Sequence, residues 1–321
     1  MSILWCGGED IDFPNETIPA AGTFSFDTSM SRGTLRCPSG IAKSVLFTGI
    51  TSGWLHFVGS VSGTYPSDLL AGLFQSASNK GILVSTSVTG SKIQLRKYDG
   101  SSYTLLASET GGSYVSGIRK VDLQISGIGS SSNAKVYVDS ILFIDFTGDL
   151  SISGLTELNC VRIYGQYGSF GWNSNEFSQI IVADEDTRLM SLLTLAPSAA
   201  GDTSDWTNGY ANIDEVTLSD TDTVYSETAT QEFQCNLTGM PTGDFSVKAV
   251  KMAARMADAV GGFDAQIGLR TNSTTSLGAD VGLTTSWAIY ESLYLTNPVT
   301  SSAFTPAEIE ALQLAFKSVT A

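Results

Sequence analysis

Histidine is almost missing from this sequence: His56 is the only one. A metal centre or proton relay built on several imidazoles is excluded by that count alone. Charge is scarce as well, at 15% of residues against roughly 25% in an average globular chain. The basic side is the thinner one, with 17 Lys and Arg against 32 Asp and Glu and a net charge of −15. Such a chain repels a phosphate backbone, which excludes nucleic acid as a partner and disfavours an anionic membrane surface. The acidic surplus reads as a solubility device. No apolar run approaches the ~18–20 residues of a bilayer-spanning helix, so membrane insertion is not expected. The four cysteines, Cys6, Cys37, Cys160 and Cys235, show no C-x-x-C spacing and suggest no zinc site. Buried thiols are the expectation, with a Cys6–Cys37 bridge as the alternative under oxidising conditions.

What fills the space left by charge is Ser, Thr and 32 glycines. Hydroxyl-coated surfaces with frequent Gly turns belong to all-β sandwiches. The opening MSILWCGGED carries an apolar run over Ile3–Cys6 with no Lys or Arg before it. It is too short for an export signal and reads as a first β-strand. The same GGED superficially resembles the signature of cyclic-dinucleotide synthases, but lacks the preceding helices and reads as a solvated turn.

Short runs rich in Val, Ile, Phe, Tyr and Thr recur between Gly, Ser, Asn and Asp clusters. Residues 45–61 hold two runs around Thr51-Ser52-Gly53, and 81–109 hold three, with turns at Thr89-Gly90 and Asp99-Gly100. The Asp-Gly pair is a strong hairpin signal, because Gly supplies the positive φ of a tight turn. Over 120–148 Val121, Leu123 and Ile125 alternate with Asp122, Gln124 and Ser126, a strand with one buried face. FSQIIVAD (177–184), DAQIGLRTN (264–272) and SWAIYESLYL (286–295) add further strands. RLMSLLTL (188–195) is read as a strand that closes the first domain or opens the second. APSAAGDTSDWT (196–207), small and polar with one Pro, is read as the linker. Over 245–262 the Ala, Met, Lys and Arg content favours helix, but Val250, Met252, Ala254 and Met256 alternate with Lys251 and Arg255; strand is chosen. FTPAEIEALQLAF (304–316) is the one helix expected, with Thr305 as N-cap, Pro306 first and Glu308 completing a capping box. Two β-sandwich domains follow, over 1–195 and 196–321, with one short C-terminal helix.

Chemistry is sparse in this reading. His56 sits on a strand face with Trp54 and Val58 and no G-x-S-x-G elbow accompanies it, so no catalytic residue and no cofactor is assigned. The acids of ADEDT (183–187) and IDEVTLSDTDTVYSE (213–227) match no D-x-[DN]-x-[DN]-G loop; a structural calcium is the one ion they suggest, and no metal ligand is named. No E-x-D-x-x-E strand of a sandwich glycosidase is present. The candidates for glycan or subunit contact are Tyr164, Tyr167, Phe170 and Trp172, spaced by glycines in RIYGQYGSFGWNSN (162–175).

Two sets of residues carry a resemblance. MSILWCGGEDIDF, KVYVDSILFIDFTGDL and FSQIIVADEDT in the first half resemble the concanavalin A-like, laminin-G-type jelly rolls of tailed-bacteriophage virion proteins. In the second half, WTNGYANIDEV, VKAVKMAARM and LTNPVTSSAFTPAEIEAL are similar to the ending of phage structural proteins: N-P-x-T, an aromatic before Thr, and a short helix. Phe304 stands where that pattern usually has Trp. The resemblance implies a non-enzymatic virion structural protein, a tail fibre, spike or tail-tip component or a capsid decoration. It also implies a symmetric oligomer, a trimer in most such proteins, made in the host cytoplasm without a signal peptide and partnered by itself and other virion proteins. One domain would dock or oligomerise on the particle and the other would be displayed. A carbohydrate-binding adhesin for host surface glycan is the alternative, and a glycan depolymerase is the third reading. With no heptads or repeats, a compact knob is expected rather than a long shaft.

Overall fold

The computed structural model describes residues 2–7, 26–27, 32–33, 35–37, 42–61, 69–87, 92–109, 117–164, 175–214, 220–240, 244–259 and 261–321. The chain divides into two compact units, Met1–Leu192 and Leu193–Ala321. Both are β-sandwiches, and the fold is all-β with one short helix.

The strands of the first unit are β1 (Ile3–Gly7), β2 (Phe26–Asp27), β3 (Arg32–Gly33), β4 (Leu35–Cys37), β5 (Ala42–Ile50), β6 (Ser52–Val61), β7 (Leu69–Gln75) and β8 (Lys80–Thr86). They continue as β9 (Ile93–Tyr98), β10 (Tyr103–Ser108), β11 (Gly117–Ser126), β12 (Ser132–Val138), β13 (Ile141–Gly148), β14 (Leu158–Tyr164) and β15 (Asn175–Ala183). One sheet has the order β1-β15-β6-β11-β12-β13, with β4 also on β15; the other runs β10-β9-β8-β7-β14-β5. We call them the first and second sheet. Alternation decides the packing. Leu55, Phe57, Val121, Leu123, Ile125 and Val136 point inward from the first sheet and meet Leu73, Ile82, Val84, Leu95, Val161 and Ile163 from the second, all buried. Period-two side chains from two sheets thus close one dry core. The expected Asp99-Gly100 hairpin joins β9 to β10; Gly100 takes φ +100°, and Asp99 accepts from the backbone N–H of Ser101 and Ser102 at 2.8 Å each. The Thr89-Gly90 turn lies outside the described residues.

The second unit holds β16 (Pro197–Ser204), β17 (Glu232–Leu237), β18 (Val250–Met256), β19 (Phe263–Thr271), β20 (Thr274–Leu277), β21 (Ala288–Tyr294), α1 (Pro306–Glu310) and β22 (Gln313–Thr320). A five-stranded sheet, β16-β17-β22-β19-β20, is covered by the two-stranded β18-β21 ribbon. Met252 of β18 packs with Phe233, Ile267, Leu269 and Phe316 of the sheet, and Trp206 stacks on Phe233 at 6.0 Å.

Three expectations are corrected here. The linker read over 196–207 is largely β16, an edge strand whose residues alternate half-buried and exposed along its whole length. Small residues pair with β17 as well as large ones do, and Pro197 stands first, where no ladder bond is lost. Residues 188–195 form no strand. The C-terminal helix ends at Glu310 rather than at 316: the capping box forms as expected, but Gln313–Thr320 then pairs with both β17 and β19. Central sheet pairing overrides helix propensity there. The strand chosen within 245–262 is β18.

The three thiols whose state is described, Cys6, Cys160 and Cys235, are buried and unbridged; the Cys37 side chain of the alternative bridge lies outside the described residues. Burial raises the Cys235 thiol to about 12.

Glu308 makes the α1 cap pH-sensitive. Its carboxylate accepts from the Thr305 backbone N–H (2.8 Å) and from Asn272 Nδ2 (2.8 Å), which holds its pKa below the usual 4.5. A carboxyl depressed in the folded state stabilises above its unfolded pKa, and that contribution is lost as pH falls through the folded value. The urea midpoint of the second unit is expected to hold from pH 7 to about 5 and to fall below about 4.5. Glu308→Gln, followed by tryptophan fluorescence, is expected to flatten that fall.

Candidate functional site

Each sheet of the first unit packs one face on the shared core; on the other face of the second sheet Phe74, Leu83 and Cys160 form a smaller buried cluster, with Tyr98 and Tyr164 packed against it. On the second sheet, register places Leu46, Cys160, Phe74, Gly81, Tyr98 and Tyr103 in one row across all six strands. The next row on that face is Ser44, Arg162, Gly72, Leu83, Arg96 and Leu105. Tyr164 follows Arg162 two positions along β14. Aromatic and guanidinium groups are therefore concentrated on one outward face.

Their contacts are specific. Tyr98 and Tyr103 stack at 4.3 Å between centroids, and Tyr103 is 38% exposed. The Arg162 guanidinium lies 4.7 Å from the centroid of the Phe74 ring, a cation–π contact, and Tyr164 tilts against the same ring at 6.1 Å. Phe74 has room because Gly81 faces it: a Cβ there would stand 2.5 Å from Phe74 Cδ1. The Tyr103 and Tyr164 phenols interact, with Arg162 beside both. Burial raises the pKa of each phenol above its ordinary 10.0, so both keep their protons at neutral pH and can donate hydrogen bonds. Arg96 donates through Nε to Ser85 Oγ (3.0 Å) and through Nη2 to Gln94 Oε1 (2.7 Å). Phe74 is fully buried beneath these groups; the partly exposed tyrosine rings, donating phenols and guanidinium groups over it can stack on sugar rings and bind their oxygens.

Of the contact residues expected from sequence, Tyr164 is on this face; Tyr167, Phe170 and Trp172 lie outside the described residues. Phe74, Tyr98, Tyr103, Arg96 and Arg162 were missed, because cross-strand register, which no local pattern carries, brings them together. Arg162 and Tyr164 at i and i+2 on one strand were the available signal.

The outer face of the first sheet is a contrast. His56 and Asp122 are partners in register there and both are fully buried. The His56 Nδ1–H donates to Asp122 Oδ1 at 2.8 Å, and Thr187 Oγ1 donates to the same oxygen at 2.7 Å. Arg188 covers them, 4.5 Å from the Tyr137 ring centroid and 5.7 Å from that of Trp54, and it pairs with Asp186. Among the described residues His56 Nε2 is buried with no hydrogen-bond partner, and none of them places a hydroxyl or thiol where a nucleophile would be activated. This group ties segment 184–188 down onto the sheet. Thr187 and Arg188 of the acid-rich stretch therefore do packing work that adjacent acids concealed in the sequence. Among the described residues, no three His, Cys, Asp or Glu side chains are grouped to hold a cation, and no helix is long and apolar enough to cross a membrane.

No family model and no curated protein matches the chain. Among solved structures it is similar to the carbohydrate-binding module CBM66 from Bacillus subtilis, at 12% identity over 50% of this chain and 89% of that one, TM-score 0.33. It is similar to an endo-β-1,4-glucuronan lyase from the fungus Trichoderma reesei, at 9% identity over 57% and 96%, TM-score 0.40. The alginate lyase Aly36B is a third neighbour, at 12% identity over 60% and 98%, TM-score 0.36. The neighbours thus include a binding module and polysaccharide lyases. The expectation that the chain is not an enzyme is corrected on that finding.

Proposed function

We propose that the first unit is a glycan-binding module and that the outer face of its second sheet is the binding face. The observation that carries this reading is the Tyr98–Tyr103 stack at the sheet edge, beside Tyr164 and Arg162, which pack on the buried Phe74 ring. Stacked rings with a half-exposed outer member give an apolar platform for one face of a sugar, and the adjacent donors give orientation. The test is a glycan array on the full chain, followed by titration calorimetry with the best ligand. Tyr103→Ala is expected to weaken binding at least tenfold, since one ring's stacking is worth roughly 0.5–1.5 kcal/mol beyond its buried area. The melting temperature should stay within a few degrees, the ring being at an edge. An array with no hit, or a variant that binds as the parent does, would sink the reading. The same incubation reads turnover: release of shortened sugars would make the face catalytic as well.

The setting we propose for this module is a tailed-phage particle, with the chain as a tail fibre, spike, tail-tip or decoration protein, a homotrimer whose second unit docks on other virion proteins. Its support is the resemblance of LTNPVTSSAFTPAEIEAL, whose Asn297, Thr305 and Glu308 join in one hydrogen-bonded lock. Light scattering on the purified chain tests the trimer, and labelling of intact particles tests the location.

A further inference from the structure

We infer that the ligand of this face is an anionic glycan, whose carboxylate or sulfate groups are held by Arg162 and Arg96; the inference rests on the glycan-binding reading above. Its ground is how the arginines are partnered. Arg119, Arg188, Arg255 and Arg270 each pair with an aspartate, at 2.9, 2.5, 2.6 and 2.5 Å. Arg96 and Arg162, the other two arginines with described side chains, do not, and both stand in one row of the second sheet's outer face. The neighbours of Arg162 are the Asn79 side-chain oxygen, the Phe74 ring, the Tyr164 and Tyr103 phenols and the Cys160 thiol. Those of Arg96 are the Ser85 hydroxyl and the Gln94 amide oxygen. All are neutral.

In a chain with 32 acidic and 17 basic residues, a cation without a carboxylate runs against the composition. Two on one face, each aimed by neutral acceptors, are a pre-oriented pair of anion sites. Neutral neighbours fix a guanidinium without quenching its charge, which leaves its remaining N–H donors for a ligand. The planar fork matches carboxylate and sulfate oxygens. Both residues are half-buried, so a pair formed there is screened less than at an open surface. Register separates the two by three strand steps, β14 to β7 to β8 to β9, about 14 Å along the sheet at ~4.8 Å per strand. One monosaccharide with one charge cannot reach both. A chain of several sugars with repeated charge can, and the tyrosine platform lies one row away for its rings.

Titration calorimetry on the full chain tests this with three probes: oligogalacturonate, dextran sulfate and neutral dextran. An acidic probe is expected to bind at least tenfold tighter than dextran. Arg96→Gln and Arg162→Gln are each expected to weaken it about tenfold, and Arg162→Lys should restore part of the loss. The carboxylated and sulfated probes separate the two sources of negative charge. Because Arg162 also packs on Phe74, a melting curve accompanies each variant, and Arg96→Gln carries the test if Arg162→Gln unfolds. Neutral sugars bound as tightly as acidic ones, or acidic binding indifferent to Arg96→Gln, would overturn the inference while leaving the glycan-binding reading intact. Absence of binding to any sugar on the array would remove both.

Discussion

Replacing Asp122 by Ala is expected to destabilise the first unit by about 3–5 kcal/mol, the range for breaking a buried charged pair from one side. Asp122 is fully buried and its Oδ1 accepts from both His56 Nδ1 and Thr187 Oγ1. Without it, a buried imidazole N–H and a buried hydroxyl lose their acceptor together, and segment 184–188 loses its tie to the sheet. In a unit of this length, 1 kcal/mol moves the melting temperature by roughly 2–4 °C, so calorimetry should show a fall of roughly 6–20 °C. Asp122→Asn is expected to fall less, by about 1–3 kcal/mol. Its amide oxygen can still accept both bonds, while its NH2 group stands where Oδ2 now lies without a partner. A double variant, His56→Phe with Asp122→Leu, should recover much of the loss, because removing both polar partners removes the desolvation penalty too. Were the double variant as unstable as Asp122→Ala, packing rather than the polar pair would be the source of the stability. Glycan affinity at the opposite sheet is expected to persist in any variant that remains folded, since none of these residues lines the proposed face.

Much of the fold was legible because strand signals here are local. Val121, Leu123 and Ile125 alternate and point inward, Asp99-Gly100 makes its hairpin, and the alternation of β18 outweighs its helical composition. The failures share one cause. Residues 196–207 look like a linker by composition and 313–316 continue a helix by propensity, yet 197–204 and 313–316 are strand because β17 and β19 supply hydrogen bonds that no local window contains. The candidate site failed in the same way. Tyr164 stands out in the sequence by its setting among glycines, but its neighbours Phe74 and Tyr103 lie 90 and 61 positions away. A binding face on a sheet is a property of register, and the hydrophobic pattern specifies which side of a strand is buried rather than which strands become neighbours.

The second large effect is expected at Asn297. This side chain is fully buried; Nδ2 donates to Thr271 Oγ1 (3.2 Å) and Glu308 Oε1 (2.9 Å), and Oδ1 accepts from the Val299 backbone N–H at 2.9 Å. It thus joins β19, the turn after Pro298 and the cap of α1. Asn297→Ala is expected to destabilise the second unit by about 2–4 kcal/mol, because the buried Thr271 hydroxyl and the Val299 N–H lose their partner at roughly 1–3 kcal/mol each, less relaxation. The calorimetric transition that moves should be the one that Asp122→Ala leaves in place, which assigns the two transitions to the two units. Asn297→Asp separates hydrogen bonding from shape. The new carboxylate keeps the acceptor for Val299 but faces the Glu308 carboxylate without a donor, so at pH 7 it should be at least as damaging as Ala. Protonation of the new group relieves that repulsion, so its loss relative to Asn should shrink between pH 7 and about 5. A pH-independent loss would mean that the Asn297–Glu308 contact contributes little and that the lock is held by the turn alone.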